Sequence, residues 1–173
     1  MVQLWNILKA VWSTLISLIG YSEREQVKQF DSPEEVANYL SEHFIYTGDP
    51  LNGAGDFYTH PEAMQAAFSA GRVATSKLSL DCDDCAVYAY VALKTISGCR
   101  PLLYTIYDSS GNWGHHVICC FKMGERYGVI DVNGLNELPS LNTKIICELF
   151  NKIYNSRGYV YTSCIYTPFP FRM

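Results

Sequence analysis

The run of strand-like segments that begins at Pro101 narrows the fold more than any other feature of this chain. PLLYTIYD (101–108), HHVICCF (115–121) and RYGVIDV (126–132) are rich in β-branched and aromatic residues, which suit a pleated, half-buried surface. Turn chemistry ends each of them: SSGNWG, KMGE and Asn133-Gly134. Short strands joined by short turns pair in sequence order, so the pattern predicts an antiparallel meander. A helical stretch around 141–155 (Asn142 to Asn155) and a last strand, YVYTSCIY (159–166), complete the chain. Such a sheet needs an apolar layer to pack against.

The chain before Pro101 supplies that layer, because its periodicity is helical. Asp31 or Ser32 reads as an N-cap, with Pro33 in the first turn and Glu34 and Glu35 facing the positive end of the helix dipole. Val36, Leu40 and Phe44 give that helix its apolar face. His60-Pro61-Glu62 opens a second helix that runs to about Ala70 and ends at Gly71. Between them, YTGDPLNGAGDFY (46–58) holds four glycine or proline residues and reads as a long loop. In DCDDCAVYAYVALKTI, Ala86, Ala89, Val91, Ala92, Leu93 and Ile96 are spaced for a largely buried helix. Asp81 and Asp83 flank its start, where carboxylates cap free backbone N–H groups. Helices followed by strands make the class α+β, as one domain over residues 21–173, in which 21–31 is a polar connector.

Residues 1–20 form a separate unit. Leu4, Leu8, Val11, Leu15 and Leu18 fall on one helical stripe flanked by Trp5, Trp12 and Ile19, with Gln3, Asn6, Ala10, Ser13 and Ser17 opposite. The lone charge, Lys9, lies mid-segment, and no small-residue cleavage site follows, unlike a secretory signal. The apolar part after Lys9 is short for a membrane span. Two tryptophans on such a stripe require a cover. The protein's own core, a partner protein and a membrane surface all remain open as that cover, with an export signal as the remaining reading.

Composition excludes some functions. At 173 residues, 49% hydrophobic and 17% charged, the chain is a folded globular protein rather than a disordered one. Its net charge is −4 and no run of Lys and Arg stands out, which argues against nucleic acid as a partner. Seven cysteines are an odd number, which argues against a complete disulfide framework and makes a reducing compartment the simpler assumption. Cys119 and Cys120, adjacent inside an apolar run, read as small buried hydrophobes.

The chemistry centres on Cys82, at the start of the buried helix. Free N–H groups and the dipole stabilise a thiolate there, although the two flanking aspartates oppose it. A nucleophilic thiol also needs an imidazole to hold and return a proton, and a third group to orient that imidazole. His115 and His116 open a strand, and Asp131 closes the next one. Neighbouring antiparallel strands bring such side chains together on one face.

These residues resemble the transglutaminase-like superfamily: Cys-x-Asp-x-Ala at a helix start, a histidine opening a strand, and an aspartate closing the next. FIYTGDP, Asp56 and HPEAM look like the lead-in of its bacterial and phage members, so the likeness covers roughly residues 32–135. It implies a papain-like fold, with the catalytic helix on an antiparallel sheet, and a triad of Cys82, His116 and Asp131. It implies amide or peptide hydrolysis through a thioester, with no metal or cofactor and a peptide or protein amide as substrate. The Cys82 backbone N–H and one further donor, for which Trp113 is a candidate, would hold the oxyanion. The sequence departs from the family at Leu80, where glycine is frequent, and at Cys85, where an aromatic or apolar residue is usual.

His115 stands as the alternative base. With His116 in that role, Val117, Cys119 and Phe121 point to the core and Ile118 to the cleft side. With His115, His116 would be pushed inward beside Ile118 and Cys120, and burying a second imidazole costs more than burying a valine. His43 and His60 lie at a helix end and in a loop, and Asp84 reads as a cap or a partner behind the site. Three other functions fit parts of the pattern. Cys82-x-x-Cys85 has zinc-ligand spacing, with His115/His116 or Cys119/Cys120 as the second pair. The same spacing occurs in thioredoxin-type redox sites, which follow a strand and seldom carry two intervening acids. The third is a non-enzymatic module that keeps the fold and docks through residues 1–20.

Overall fold

A computed structural model describes residues 24–47, 58–71, 80–109 and 115–170. Residues 1–20 and Trp113 lie outside them, as does most of the loop expected at 46–58. Ser32 caps helix α1 (Pro33–His43): its side chain accepts the Glu35 N–H at 3.2 Å, and Pro33 fills the first turn. Helix α2 (Pro61–Ser69) starts at His60, whose Nδ1 accepts the Glu62 N–H, and ends before Gly71 at φ 62°. Helix α3 (Cys82–Lys94) begins with a reciprocal capping box between Asp81 and Asp84. Nine of its thirteen residues are buried, from Asp83 to Ala89 and again at Ala92 and Leu93. A helix apolar all round belongs at the centre of a core.

Five strands make one antiparallel sheet in the order β4-β3-β2-β1-β5. They are β1 (Cys99–Asp108), β2 (His115–Met123), β3 (Arg126–Asp131), β4 (Gly134–Leu138) and β5 (Tyr161–Thr167). Helix α4 (Thr143–Ile153) and a 3₁₀ turn at Asn155–Arg157 connect β4 to β5. The α+β class and the meander agree with the sequence pattern. Strand β4 is a correction: Asn133-Gly134 ends β3 but also turns the chain straight into a fourth strand. GLNEL carries a weak strand pattern, half-exposed along most of its length, and backbone pairing to β3 supplies what propensity does not.

Alternation in the strands divides the core in two. On one face Leu103, Val117, Cys119, Phe121 and Ile130 pack under α1, α2 and α3. On the other, Ile106, Ile118, Cys120 and Val129 pack under Ile146, Cys147 and Phe150 of α4. Ile118, expected toward a cleft, is therefore fully buried beneath a helix. Gly128 in β3 is required by this packing, since a Cβ there would meet the Phe121 ring at 2.6 Å. No helix among the described residues is long and apolar enough to cross a membrane.

Candidate active site

Helix α3 places Cys82 at its first position, half-buried, and all seven cysteines are free thiols. The residues around it are held by capping. The Asp83 N–H donates to Asp81 Oδ1 at 3.1 Å, while Asp84 accepts the Asp81 N–H at 3.2 Å and the Thr59 N–H at 2.5 Å. Asp84 thereby pins the segment before α2 against the first turn of α3. Burial holds its carboxyl well above the usual carboxylate range, against those two backbone donors.

The β2–β3 register brings His116 and Asp131 together, as the spacing predicts. His116 Nε2 and Asp131 Oδ2 are 3.0 Å apart, and both side chains are almost wholly buried. They lie on the α4 face, where the imidazole meets the rings of Phe150 and Tyr154 edge-on, at 5.6 and 5.4 Å between centroids. His115 points to the opposite face and is exposed. It lines an open cavity of about 380 Å³ with Tyr58, Thr105, Tyr107, Val117 and Ile165 among its walls. The structure thus separates the two histidines, and Asp131 has His116 as its partner.

The reason anticipated for preferring His116 does not hold. It is His116 that lies inward beside Ile118 and Cys120, at 6% exposure. The Asp131 carboxylate is what makes that burial tolerable.

Two residues interact electrostatically with Cys82. Cys85, one turn along α3, has its thiol pushed far up by burial first, then by the Asp131 carboxylate and by Cys82. Tyr161 of β5 is pushed up to about 12, by burial first, then by Tyr159, with Cys82 among the further causes. Tyr161 in turn touches Tyr154, with ring centroids 6.0 Å apart, and Tyr154 touches His116. Through Cys85 and Tyr161 the first turn of α3 thus interacts with residues around the His116–Asp131 pair, which itself lies on the sheet face opposite the one that α3 covers.

Two residues beside this pair carry no mark in the sequence. Asn133 Nδ2 donates to Asp131 Oδ2 at 2.8 Å and to the Tyr154 hydroxyl at 2.6 Å, and the Asn133 N–H donates to Asp131 Oδ1 at 3.0 Å. The Tyr154 hydroxyl donates to Asp131 Oδ2 at 3.2 Å. Asn133 reads as a turn residue and Tyr154 as the end of an apolar helix stripe, and only the fold joins them.

Among the described residues, one group of three or more potential metal ligands gathers within 4.8 Å, namely Asp81, Asp83 and Asp84. It contains neither Cys82 nor Cys85, and capping accounts for Asp81 and Asp84. Cys85 itself is buried in the core beneath α3. His60 acts as a helix cap, and His43 stacks on Tyr39 at 4.2 Å. No protein-family model matches this sequence, and no curated protein matches it.

Proposed function

We propose that this protein is a thiol-dependent amide or peptide hydrolase of transglutaminase-like type, with a papain-like arrangement of Cys82, His116 and Asp131. The observation that carries the reading is the buried His116–Asp131 pair on adjacent strand ends, in a fold whose central helix opens on a thiol. Such a pair requires the folded state to bury an imidazole and a carboxylate, a cost that a purely structural core avoids. Asp131 engages Nε2, and in this reading Nδ1 exchanges a proton with the thiol.

In this mechanism the Cys82 sulfur attacks the amide carbonyl carbon, and the carbonyl oxygen takes the negative charge. The Cys82 N–H at the start of α3 faces that charge together with the helix dipole. His116 then delivers its proton to the leaving nitrogen, the C–N bond breaks, and a thioester remains on Cys82. Water adds to the thioester as His116 takes its proton, releasing a carboxylic acid and restoring the thiol. Asp131 orients the ring and balances the imidazolium in both halves.

A mass-spectrometric screen of a lysate and a cell-wall digest, incubated with the wild-type protein and with Cys82→Ala, tests the reading. Cleaved or deamidated peptides that need Cys82 are expected. Identical peptide sets from the two proteins would remove the hydrolase assignment.

A further inference from the structure

Asp131 receives more donors than orientation of one imidazole requires. Its Oδ2 faces His116 Nε2 at 3.0 Å, Asn133 Nδ2 at 2.8 Å and the Tyr154 hydroxyl at 3.2 Å, while Oδ1 accepts the Asn133 N–H at 3.0 Å. The direction of the tyrosine hydrogen follows from the chemistry of its neighbours. An amide NH₂ only donates, so Asn133 Nδ2, 2.6 Å away, uses a lone pair of the hydroxyl oxygen. The hydroxyl proton is then directed to the carboxylate. Tyr154 stands 3.4 Å from His116 Nε2 as well, so its oxygen lies beside the same hydrogen bond it modulates.

We propose that Tyr154 is a positioning residue of this site: its hydroxyl, aimed by Asn133, draws charge from Asp131 and sets how tightly His116 holds its proton. The inference rests on the reading of His116 as the proton carrier. A carboxylate that spends part of its charge on a neutral donor attracts an imidazolium less. Loss of the hydroxyl leaves more of that charge to His116, and the ring keeps its proton to a higher pH.

The other groups facing the pair have been placed. Cys85 of α3 interacts with the Asp131 carboxylate, and Tyr161 of β5 meets the Tyr154 ring. Phe150 of α4 is apolar, and Arg157 lies over the Tyr154 ring at 5.2 Å. Asn133, Tyr154 and Asp131 are the groups within hydrogen-bond distance of one another. Burial pushes the Tyr154 hydroxyl itself far up, with the Asp131 carboxylate the next cause, so it acts as a donor throughout the working range.

The test is an NMR titration of the histidine ring resonances of the full chain, as wild type and as Tyr154→Phe, which keeps the ring and its stacking on Phe150 and Tyr161. The midpoint of the His116 resonances is expected to rise by about half a pH unit. The alkaline limb of the hydrolysis profile should move with it. Asn133→Ala, which removes a donor to Asp131 itself as well as the one that aims the hydroxyl, should raise the midpoint further than Tyr154→Phe does. A midpoint that stays or falls would overturn the proposal and leave Tyr154 as packing. The titration needs no turnover. A raised midpoint in a protein that cleaves nothing would uphold the role of Tyr154 and sink the hydrolase reading, so the two failures are distinct.

Discussion

Among the described residues, two buried polar networks of similar size have opposite character. In the helical layer, Gln65 of α2 gives its two amide hydrogens to the Tyr39 and Ser69 hydroxyls, each at 3.0 Å. Its oxygen accepts from the Tyr88 hydroxyl at 2.5 Å and from the Lys28 N–H at 3.1 Å. This ties α1, α2 and α3 together with neutral groups alone, and burial pushes Tyr88 so high that no proton moves near neutral pH. On the far side of the sheet, Asn133 and Tyr154 surround a carboxylate and an imidazole. The first network is closed: its groups satisfy one another, and holding helices is all it can do. The second buries an ionisable pair, which costs more, and under the proposed function that pair serves the chemistry.

Substitutions that break each network should therefore fail differently. Asp131→Asn keeps the shape of the charged network and removes its charge. Hydrolysis is expected to drop by about 10³-fold or more, with a loss of about 1–3 kcal/mol of stability in urea. Equal activity in the variant would place Asp131 outside the chemistry. Gln65→Ala strips the neutral network of its centre and leaves the Tyr88 hydroxyl without its acceptor. A loss of about 2–3 kcal/mol is expected by denaturant unfolding, with Cys82 reactivity unchanged in the folded protein. A fall in Cys82 reactivity at constant folded fraction would show that the two networks are coupled.

A smaller effect sharpens the contrast through pH. Burial raises Asp84, so the folded chain keeps that proton to a higher pH than the unfolded chain does. The associated stabilisation is complete below the usual carboxylate range and fades as pH rises through the folded-state value. Asp84→Asn removes the dependence. The stability of the wild type relative to the variant should fall from acid toward neutral pH in thermal unfolding, and a relative stability that rises with pH would contradict the assignment.

Much of this was legible beforehand because periodicity and caps are local. Ser32-Pro33, His60-Pro61 and Asp81 each announce a helix start, and the alternation of Val117, Cys119 and Phe121 against Ile118 and Cys120 fixes the β2 faces. The His116–Asp131 contact was readable because two hairpin neighbours need little more than spacing. Strand β4 was not, since GLNEL owes its conformation to β3. Nor was α4 as the cover of Ile118: its apolar stripe of Ile146, Phe150 and Tyr154 is visible, but the face it lands on depends on a connection to the far edge of the sheet. Asn133 and Tyr154 escaped notice for the same reason, being brought to Asp131 by tertiary packing alone.

The seven thiols allow the central claim to be tested within one sample. Burial pushes Cys85, Cys119 and Cys120 far up, Cys147 up, Cys99 to about 11 and Cys164 to about 12, which leaves Cys82 to be compared against poor nucleophiles. The decisive measurement is site-resolved alkylation by a limiting thiol reagent near pH 6, read by mass spectrometry in wild type and in His116→Ala. Cys82 should react first by a wide margin in the wild type and lose that margin without the imidazole. A Cys82 that alkylates no faster than an ordinary thiol, or as fast without His116 as with it, would contradict a Cys82–His116–Asp131 unit.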